Sequence, residues 1–194
     1  MSAKRLKSRR IDEYFMDLLF KLLDAYGPSG NETEVRDLIR KEIKKHVDKV
    51  SVDKYGNLIA CKKGSSPKVL LVSHMDEIGL MVKSISDKGI AHVVTVGWWD
   101  PIALIGCLAH IRAKKEDLHA IVTLPAMNNG EEVSELPKIA DLRVDFGMDR
   151  KELLKKGVTI GSYLNVEQKV KMLNKEGFFT GKALDDRVGC FILL

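Results

Sequence analysis

The sequence has few cysteines and no long hydrophobic segment, and each absence excludes a class of protein. Its 194 residues include only three cysteines, Cys61, Cys107 and Cys190, which lie far apart. An odd number at this spacing argues against a disulfide framework and against zinc-finger ligands, and fits a reducing compartment. No apolar run approaches the roughly 20 residues that a membrane-spanning helix needs. We therefore predict a cytoplasmic protein without a membrane partner.

The basic amino-terminal segment, residues 1–10, also lacks the features that would give it a special role. It has no apolar core followed by a small-residue cleavage site, so it is not a signal peptide. The net charge of the chain is +5, and much of it lies in this segment. Aromatic residues do not alternate with the basic ones, as they tend to on a nucleic-acid surface. We therefore favour a solvated leader over a nucleic-acid contact.

What is present is typical of a globular α/β protein, with 45% hydrophobic and 30% charged residues. Apolar residues at helical spacing predict a helix over 11–26 and a second over 32–46. Ser29 or Asn31 is a candidate cap for the second helix. Short apolar stretches at 50–53 and 58–61, on either side of a Gly-Asn turn, predict a β-hairpin.

The most informative stretch is 69–80. Val69–Val72 is an unbroken apolar run, as in a parallel strand buried on both faces. His74 and Asp76 follow it, and ligands of open α/β sheets bind beyond the carboxyl ends of the strands. A histidine and a carboxylate placed there can bind a metal, with the carboxylate as a ligand or as the partner that orients the imidazole. A structural histidine held by an aspartate is an equally good interpretation of this stretch alone.

From about residue 80 to 175, short strand candidates separated by turns replace the α/β pattern and indicate an inserted β-rich domain. Trp98 and Trp99 lie in one of its loops, where packing is favoured over a contact surface. The chain then returns to a loop and a helix that starts near Asp185 and Asp186. Both aspartates suit the amino end of a helix as simple caps. The helix is apolar up to Leu194, which suggests an incomplete domain.

Taken together, three ordered motifs resemble the dinuclear metallo-aminopeptidases of the glutamyl, deblocking and tetrahedral (TET) type. The motifs are residues 74–79, 97–101 and 182–190, and the resemblance extends over the chain after residue 12. It implies an incomplete phosphorylase/hydrolase-like α/β peptidase domain with an inserted β-barrel, PDZ-like dimerisation domain. The expected bounds are 1–79 for the first part of the peptidase domain, 80–175 for the insert and 176–194 for the return.

The resemblance also implies roles for individual residues. His74 binds one of two divalent metal ions, zinc or cobalt, and Asp76 orients it as a catalytic residue. Asp185 bridges both ions, whereas no role carries over to Asp186. The metals activate a water molecule that attacks the peptide bond next to the substrate's free amino end. His46, His92, His110 and His119 lie outside the matched motifs and are interpreted as structural or surface residues.

The remaining ligands of such a site, a Glu-Glu pair, an aspartate and a histidine, have no counterpart after Asp185, and Glu131–Glu132 lies in the insert. We expect an amino-terminal portion of an aminopeptidase that is inactive alone. The alternatives are a short non-catalytic homologue and one half of a split enzyme. The family implies a peptide substrate and a homo-oligomer, either a dimer or dimers assembled into a dodecamer.

Overall fold

The structure is a computed structural model that describes residues 3–113, 116–133, 135–175 and 177–194. Within these ranges the chain forms six α-helices, one 3-10 helix and ten β-strands. In chain order they are α1 (Ala3–Asp24), α2 (Thr33–Ile43), β1 (Lys49–Val52), β2 (Leu58–Cys61), β3 (Gly79–Ile85), β4 (Ala91–Val96), α3 (Pro101–Leu104), β5 (Leu108–Arg112), β6 (Asp117–Thr123), α4 (Pro125–Asn128), the 3-10 helix (Ile139–Asp141), β7 (Arg143–Asp145), α5 (Arg150–Lys156), β8 (Tyr163–Val166), β9 (Lys171–Met172), β10 (Phe179–Thr180) and α6 (Leu184–Ile192).

The chain folds as two compact units. The first unit combines Met1–Glu77 with Lys169–Leu194, and the second unit is the continuous segment Ile78–Gln168. The second unit therefore interrupts the first in the sequence. This is the organisation expected when one domain is inserted into a loop of another.

The second unit is a closed antiparallel barrel with the strand order β3-β4-β7-β6-β5-β8. Side chains alternate along β6, where Leu118, Ala120 and Val122 are buried while His119 and Ile121 point outward. Residues from all six strands and from α3 and α5 meet in one apolar core. The indole ring of Trp99 packs against this core, whereas Trp98 is exposed. The predicted β-barrel is thus confirmed, while its likeness to a PDZ domain stays a prediction.

The first unit is built on α1, whose carboxyl-terminal half buries Leu18, Leu19, Leu22 and Leu23. The helix begins earlier than predicted, at Ala3, and ends at Asp24, before Gly27 and Pro28. The predicted hairpin is confirmed, because β1 and β2 pair in antiparallel register with Lys49 opposite Cys61.

The prediction of a buried strand at Val69–Val72 is wrong. The four residues form no strand, and their exposed fractions lie between 68% and 85%. A strand buried on both faces needs a neighbour along each edge. In the described part of the first unit, strands pair only as two separate two-stranded sheets, β1 with β2 and β9 with β10. The apolar run is therefore exposed and pairs with no strand in the described ranges.

No helix in the described ranges combines the length and the apolar character needed to cross a membrane.

Two glycines of the second unit allow a matched test of backbone packing. Gly89 and Gly106 both have φ +82°, which costs any L-residue about 1 kcal/mol. A Cβ at position 89 would lie 1.7 Å from the carbonyl oxygen of Met148, whereas one at position 106 would meet nothing within 4 Å. We expect Gly89→Ala to lower the free energy of unfolding clearly more than Gly106→Ala. Urea denaturation followed by circular dichroism measures both, and equal losses would contradict this packing.

Candidate functional site

Three residues singled out by the sequence meet in the first unit. The two ring nitrogens of His74 each face a carboxylate: Nδ1 lies 2.8 Å from Oδ1 of Asp76, and Nε2 lies 2.9 Å from Oδ1 of Asp185. The two aspartates are 109 positions apart in the chain, so this arrangement depends on the tertiary fold. The side chain of Asp185 is 93% exposed, whereas that of Asp76 is 34% exposed. One ring nitrogen of His74 therefore contacts the partly buried carboxylate of Asp76. The other, Nε2, faces the exposed carboxylate of Asp185.

Backbone pairing fixes the segment that carries His74 and Asp76. The amide of Glu77 donates to the carbonyl of Gly27 at 2.9 Å, and the amide of Ser29 donates to the carbonyl of Glu77 at 3.1 Å. These two bonds form a short parallel bridge between Pro28 and Glu77. The loop after α1 therefore lies directly beside the histidine segment.

Ser29 has a role that the sequence did not reveal. Its hydroxyl donates a short hydrogen bond to Oδ2 of Asp76, on the carboxylate whose other oxygen faces His74. Ser29 was a candidate cap for α2, but that helix begins after Glu32 without a side-chain cap. From the sequence, Ser29 was singled out only as that candidate cap, and nothing in the sequence pointed to the contact with Asp76.

The two adjacent aspartates at the start of α6 contact different partners. Asp186 accepts a hydrogen bond from the amide of Gly189 at 3.0 Å, as a helix-capping side chain does. Asp185 has extended backbone angles, φ −89° and ψ 109°, and its carboxylate faces His74. The peptide bond between them is cis. The capping interpretation therefore holds for Asp186, and Asp185 is left free to act in the site.

Beneath the site lies a buried group of charges, the Glu77–Lys182–Arg187 cluster. Arg187 is fully buried and Glu77 is 6% exposed. Lys182 Nζ lies 2.8 Å from both carboxylate oxygens of Glu77 and 2.7 Å from the carbonyl oxygen of Ala25. Burial lowers the pKa of Lys182, and the carboxylate of Glu77 partly offsets that effect. The sequence motifs contain all three residues but gave no sign that they would be buried.

The surroundings shift the pKa values of His74 and Asp76 in opposite directions. Burial alone would lower the pKa of His74, but the hydrogen bonds to Asp76 and Asp185 outweigh it and raise the pKa above 6.5. Burial would raise the pKa of Asp76, but the hydrogen bonds from Ser29 and His74 outweigh it and lower the pKa below 3.8. Both shifts have the direction expected for an imidazole that lies between two carboxylates.

The donor set fits part of a metal site. With Asp76 holding Nδ1, the neutral imidazole presents Nε2 as a ligand, and a carboxylate that holds the other nitrogen is a common partner of such histidines. Asp185 supplies an exposed oxygen beside that nitrogen. No group of three or more His, Cys, Asp or Glu side chains suited to a metal occurs among the described residues. His74 and Asp185 could therefore supply two ligands of a metal site, but the described residues do not supply a complete set.

The other four histidines take no part in this arrangement. His46 follows α2 in the first unit, and His92 lies on β4 of the second unit. His110 and His119 face each other across β5 and β6, with ring centroids 5.4 Å apart. His119 Nδ1 lies 2.7 Å from Glu167.

Comparison with known proteins identifies the family. The M42 glutamyl aminopeptidase family matches residues 56–194, more than half of the sequence, so the chain belongs to this family. It is 34% identical over 183 residues to the lysyl aminopeptidase of Pyrococcus furiosus, and the alignment covers 92% of this chain and 53% of that protein. The predicted resemblance to these aminopeptidases is confirmed.

Solved structures agree with this assignment. The aminopeptidase APDkam598 of Desulfurococcus kamchatkensis superposes with a TM-score of 0.84 at 31% identity, covering 93% of this chain and 50% of that one. The TET1 peptidase of Pyrococcus horikoshii, which can assemble into a tetrahedron or a large octahedral shell, superposes with a TM-score of 0.82 at 29% identity. That match covers 92% of this chain and 54% of the TET1 chain. The chain spans about half the length of the curated relatives it matches.

The opposed shifts predict a specific titration of the metal-free chain. In an NMR titration we expect His74 to titrate above 6.5. His92, whose pKa is lowered by burial and by nearby Arg143 and Lys83, should titrate below 6.5 and serves as the internal control. Asp76→Asn should lower the pKa of His74 and leave that of His92 unchanged.

The sign of the linked stability follows from these shifts. Since the folded pKa of His74 is raised, its stabilising contribution is complete below the unfolded pKa and is lost as the pH rises through the folded pKa. The contribution of Asp76, whose folded pKa is lowered, is complete above its unfolded pKa and is lost as the pH falls through the folded one. In the NMR titration, a pKa of His74 below that of His92 would contradict the contact of His74 with both carboxylates.

Proposed function

We propose that this chain forms the amino-terminal portion of a metal-dependent aminopeptidase that releases amino-terminal residues from peptides. The observation that carries the proposal is the convergence of His74 Nε2 and the exposed Asp185 carboxylate at 2.9 Å, with Asp76 on the other ring nitrogen. Membership of the M42 family supports the peptidase activity. Two divalent ions, zinc or cobalt, suit the nitrogen and oxygen ligands that the full site would combine.

Each residue has a distinct task in this proposal. His74 would hold a metal ion through Nε2, and Asp185 would contribute its exposed carboxylate as a ligand. Asp76, braced by Ser29, keeps the proton on Nδ1, so that Nε2 stays available as a ligand. The chemistry that metal ions would supply at these residues is activation of a water molecule and polarisation of the scissile carbonyl. The general base and the remaining ligands would come from outside this chain.

Two observations support an incomplete site. The first is that the chain spans about half the length of its curated relatives. The second is the exposed apolar run Val69–Val72, which lies just before His74. Burying such a run would contribute to folding through the hydrophobic effect, so strands of a carboxyl-terminal half are its proposed cover. The assembly of the TET1 peptidase supports a homo-oligomer for the complete protein, and a cytoplasmic location stays a prediction.

Metal binding by the chain itself tests the ligand pair. We expect Co²⁺ at millimolar concentration to give, with the 194-residue chain, a visible absorption band that free Co²⁺ in the same buffer lacks, since two ligands hold a metal weakly. His74→Ala and Asp185→Asn should abolish the band because each removes one of the two ligands. His92→Ala and Asp87→Asn are the matched controls and should leave it unchanged. A band that persists in both site variants, or no band with the unaltered chain, would overturn the proposed ligand pair.

The mass and the activity of the natural protein test whether this chain is the amino-terminal portion of an aminopeptidase. The intact mass of the protein from its native source, measured under denaturing conditions, distinguishes a longer polypeptide from a chain of 21.7 kDa. We expect a longer polypeptide that releases amino-terminal residues from chromogenic amino-acyl substrates, and whose activity is lost with a chelator or with Asp185→Asn. A mass of 21.7 kDa with a co-purifying second chain would favour a split enzyme. The same mass without a partner and without activity would favour the non-catalytic homologue.

A further inference from the structure

The Glu77–Lys182–Arg187 cluster does more than neutralise buried charge, because Arg187 contacts the backbone of the histidine segment. Its Nε donates to the carbonyl oxygen of Met75 at 2.5 Å. Met75 lies between His74 and Asp76, the two residues whose side chains form one side of the site. The guanidinium group of Arg187 therefore holds the backbone between these two residues.

The same guanidinium also joins the end of α1 and the loop that follows it. Its NH1 donates to the carbonyl oxygens of Leu22 at 2.5 Å and Ala25 at 3.2 Å. The last carbonyls of a helix have no partner within the helix, and Arg187 satisfies that of Leu22. Its NH2 lies 3.4 Å from Oε1 of Glu77, which also accepts a hydrogen bond from the amide of Gly27 at 3.0 Å. Arg187 thus contacts both the loop that contains Ser29 and the segment that contains His74.

Arg187 is also fixed relative to Asp185, since only Asp186 separates them at the start of α6. We infer that Arg187 is a positioning residue that sets the separation between the His74 imidazole and the Asp185 carboxylate. It contacts neither of these side chains and acts through the backbone on both sides of the site. Its significance for a metal rests on the proposed function, whereas its effect on the His74–Asp185 separation does not.

A lysine at position 187 cannot make the same set of contacts as Arg187. The donors of arginine diverge from a rigid plane, and here Nε, NH1 and NH2 each reach a different backbone or carboxylate group. A lysine has one nitrogen at the end of a flexible chain, and Lys182 already occupies the carboxylate of Glu77 in that way. Arg187→Lys therefore keeps the charge and removes the simultaneous contacts.

The space around the guanidinium gives a second way to disturb it without changing any charge. A Cβ added at Gly27 would lie 2.7 Å from NH2 of Arg187 and 2.8 Å from Cγ2 of Val35. Both distances are shorter than contacts that real Cβ atoms make. Gly27→Ala should therefore displace Arg187 while every member of the buried cluster is retained.

A crystal structure of the Arg187→Lys chain without metal tests the inference directly. We expect the distance from His74 Nε2 to Asp185 Oδ1 to grow from 2.9 Å beyond hydrogen-bonding range. Gly27→Ala, solved in the same way, should move the two atoms in the same direction and keeps the test available if Arg187→Lys fails to fold. A separation that stays at its present value in the variants that fold would overturn the positioning role.

Cobalt affinity provides the second measurement, with Val35→Ala as the control. Val35 is fully buried in the first unit, so its truncation lowers stability without removing any contact of the guanidinium with the site. Below the unfolding transition of each variant, we expect Arg187→Lys to weaken Co²⁺ binding about 10-fold or more, as loss of groups that orient ligands does. Val35→Ala should leave the affinity unchanged.

The outcomes separate this inference from the proposed function. If His74→Ala and Asp185→Asn do not alter cobalt binding, the ligand assignment fails, and the metal-free structures still decide the positioning role. If those two variants abolish binding while Arg187→Lys binds like the unaltered chain, the ligand assignment stands and the positioning role fails. Equal losses for Arg187→Lys and Val35→Ala would also overturn it, since they would reflect stability alone.

Discussion

The burial of the Arg187 guanidinium is the constraint on which the site depends. A buried charge is costly unless a counter-charge and hydrogen bonds compensate it, and here Glu77 and three backbone carbonyls do so. A well-packed apolar replacement is often as stable as a buried ion pair, so the main consequence is geometric. Arg187 can make all of these contacts only when α1, the segment with His74 and α6 lie at fixed positions around its planar guanidinium group.

The site itself is polar and open, in contrast to its support. His74 lies between an aspartate that is partly buried and one that is almost fully exposed. Asp76 accepts a hydrogen bond from Ser29 and keeps the imidazole in one orientation, while the carboxylate of Asp185 stays exposed. Under the proposed function, this arrangement would orient the two candidate ligands before a metal ion binds.

Features that depend on interactions between residues close in the chain were predictable from the sequence, whereas features that depend on distant contacts were not. The barrel strands and the β1–β2 hairpin were predictable because alternation and turn residues act over a few positions. Val69–Val72 was mispredicted because an apolar run indicates burial but does not supply the neighbouring strands that would cover it. Ser29 was misassigned because its local environment resembles a helix start, and its partner Asp76 lies 47 positions away.

The sequence by itself determined which residues are the candidates for the site. The spacing of His74 and Asp76 and the acidic pair before an apolar helix are local features, and the family resemblance rests on the same residues. Only the tertiary structure decided that Asp185 faces His74 while Asp186 caps the helix, and that Glu77, Lys182 and Arg187 are buried together. The physical reason is that local sequence constrains backbone conformation. The solvation of a charge, and the partner that compensates it, depend on segments that meet only when the chain has folded.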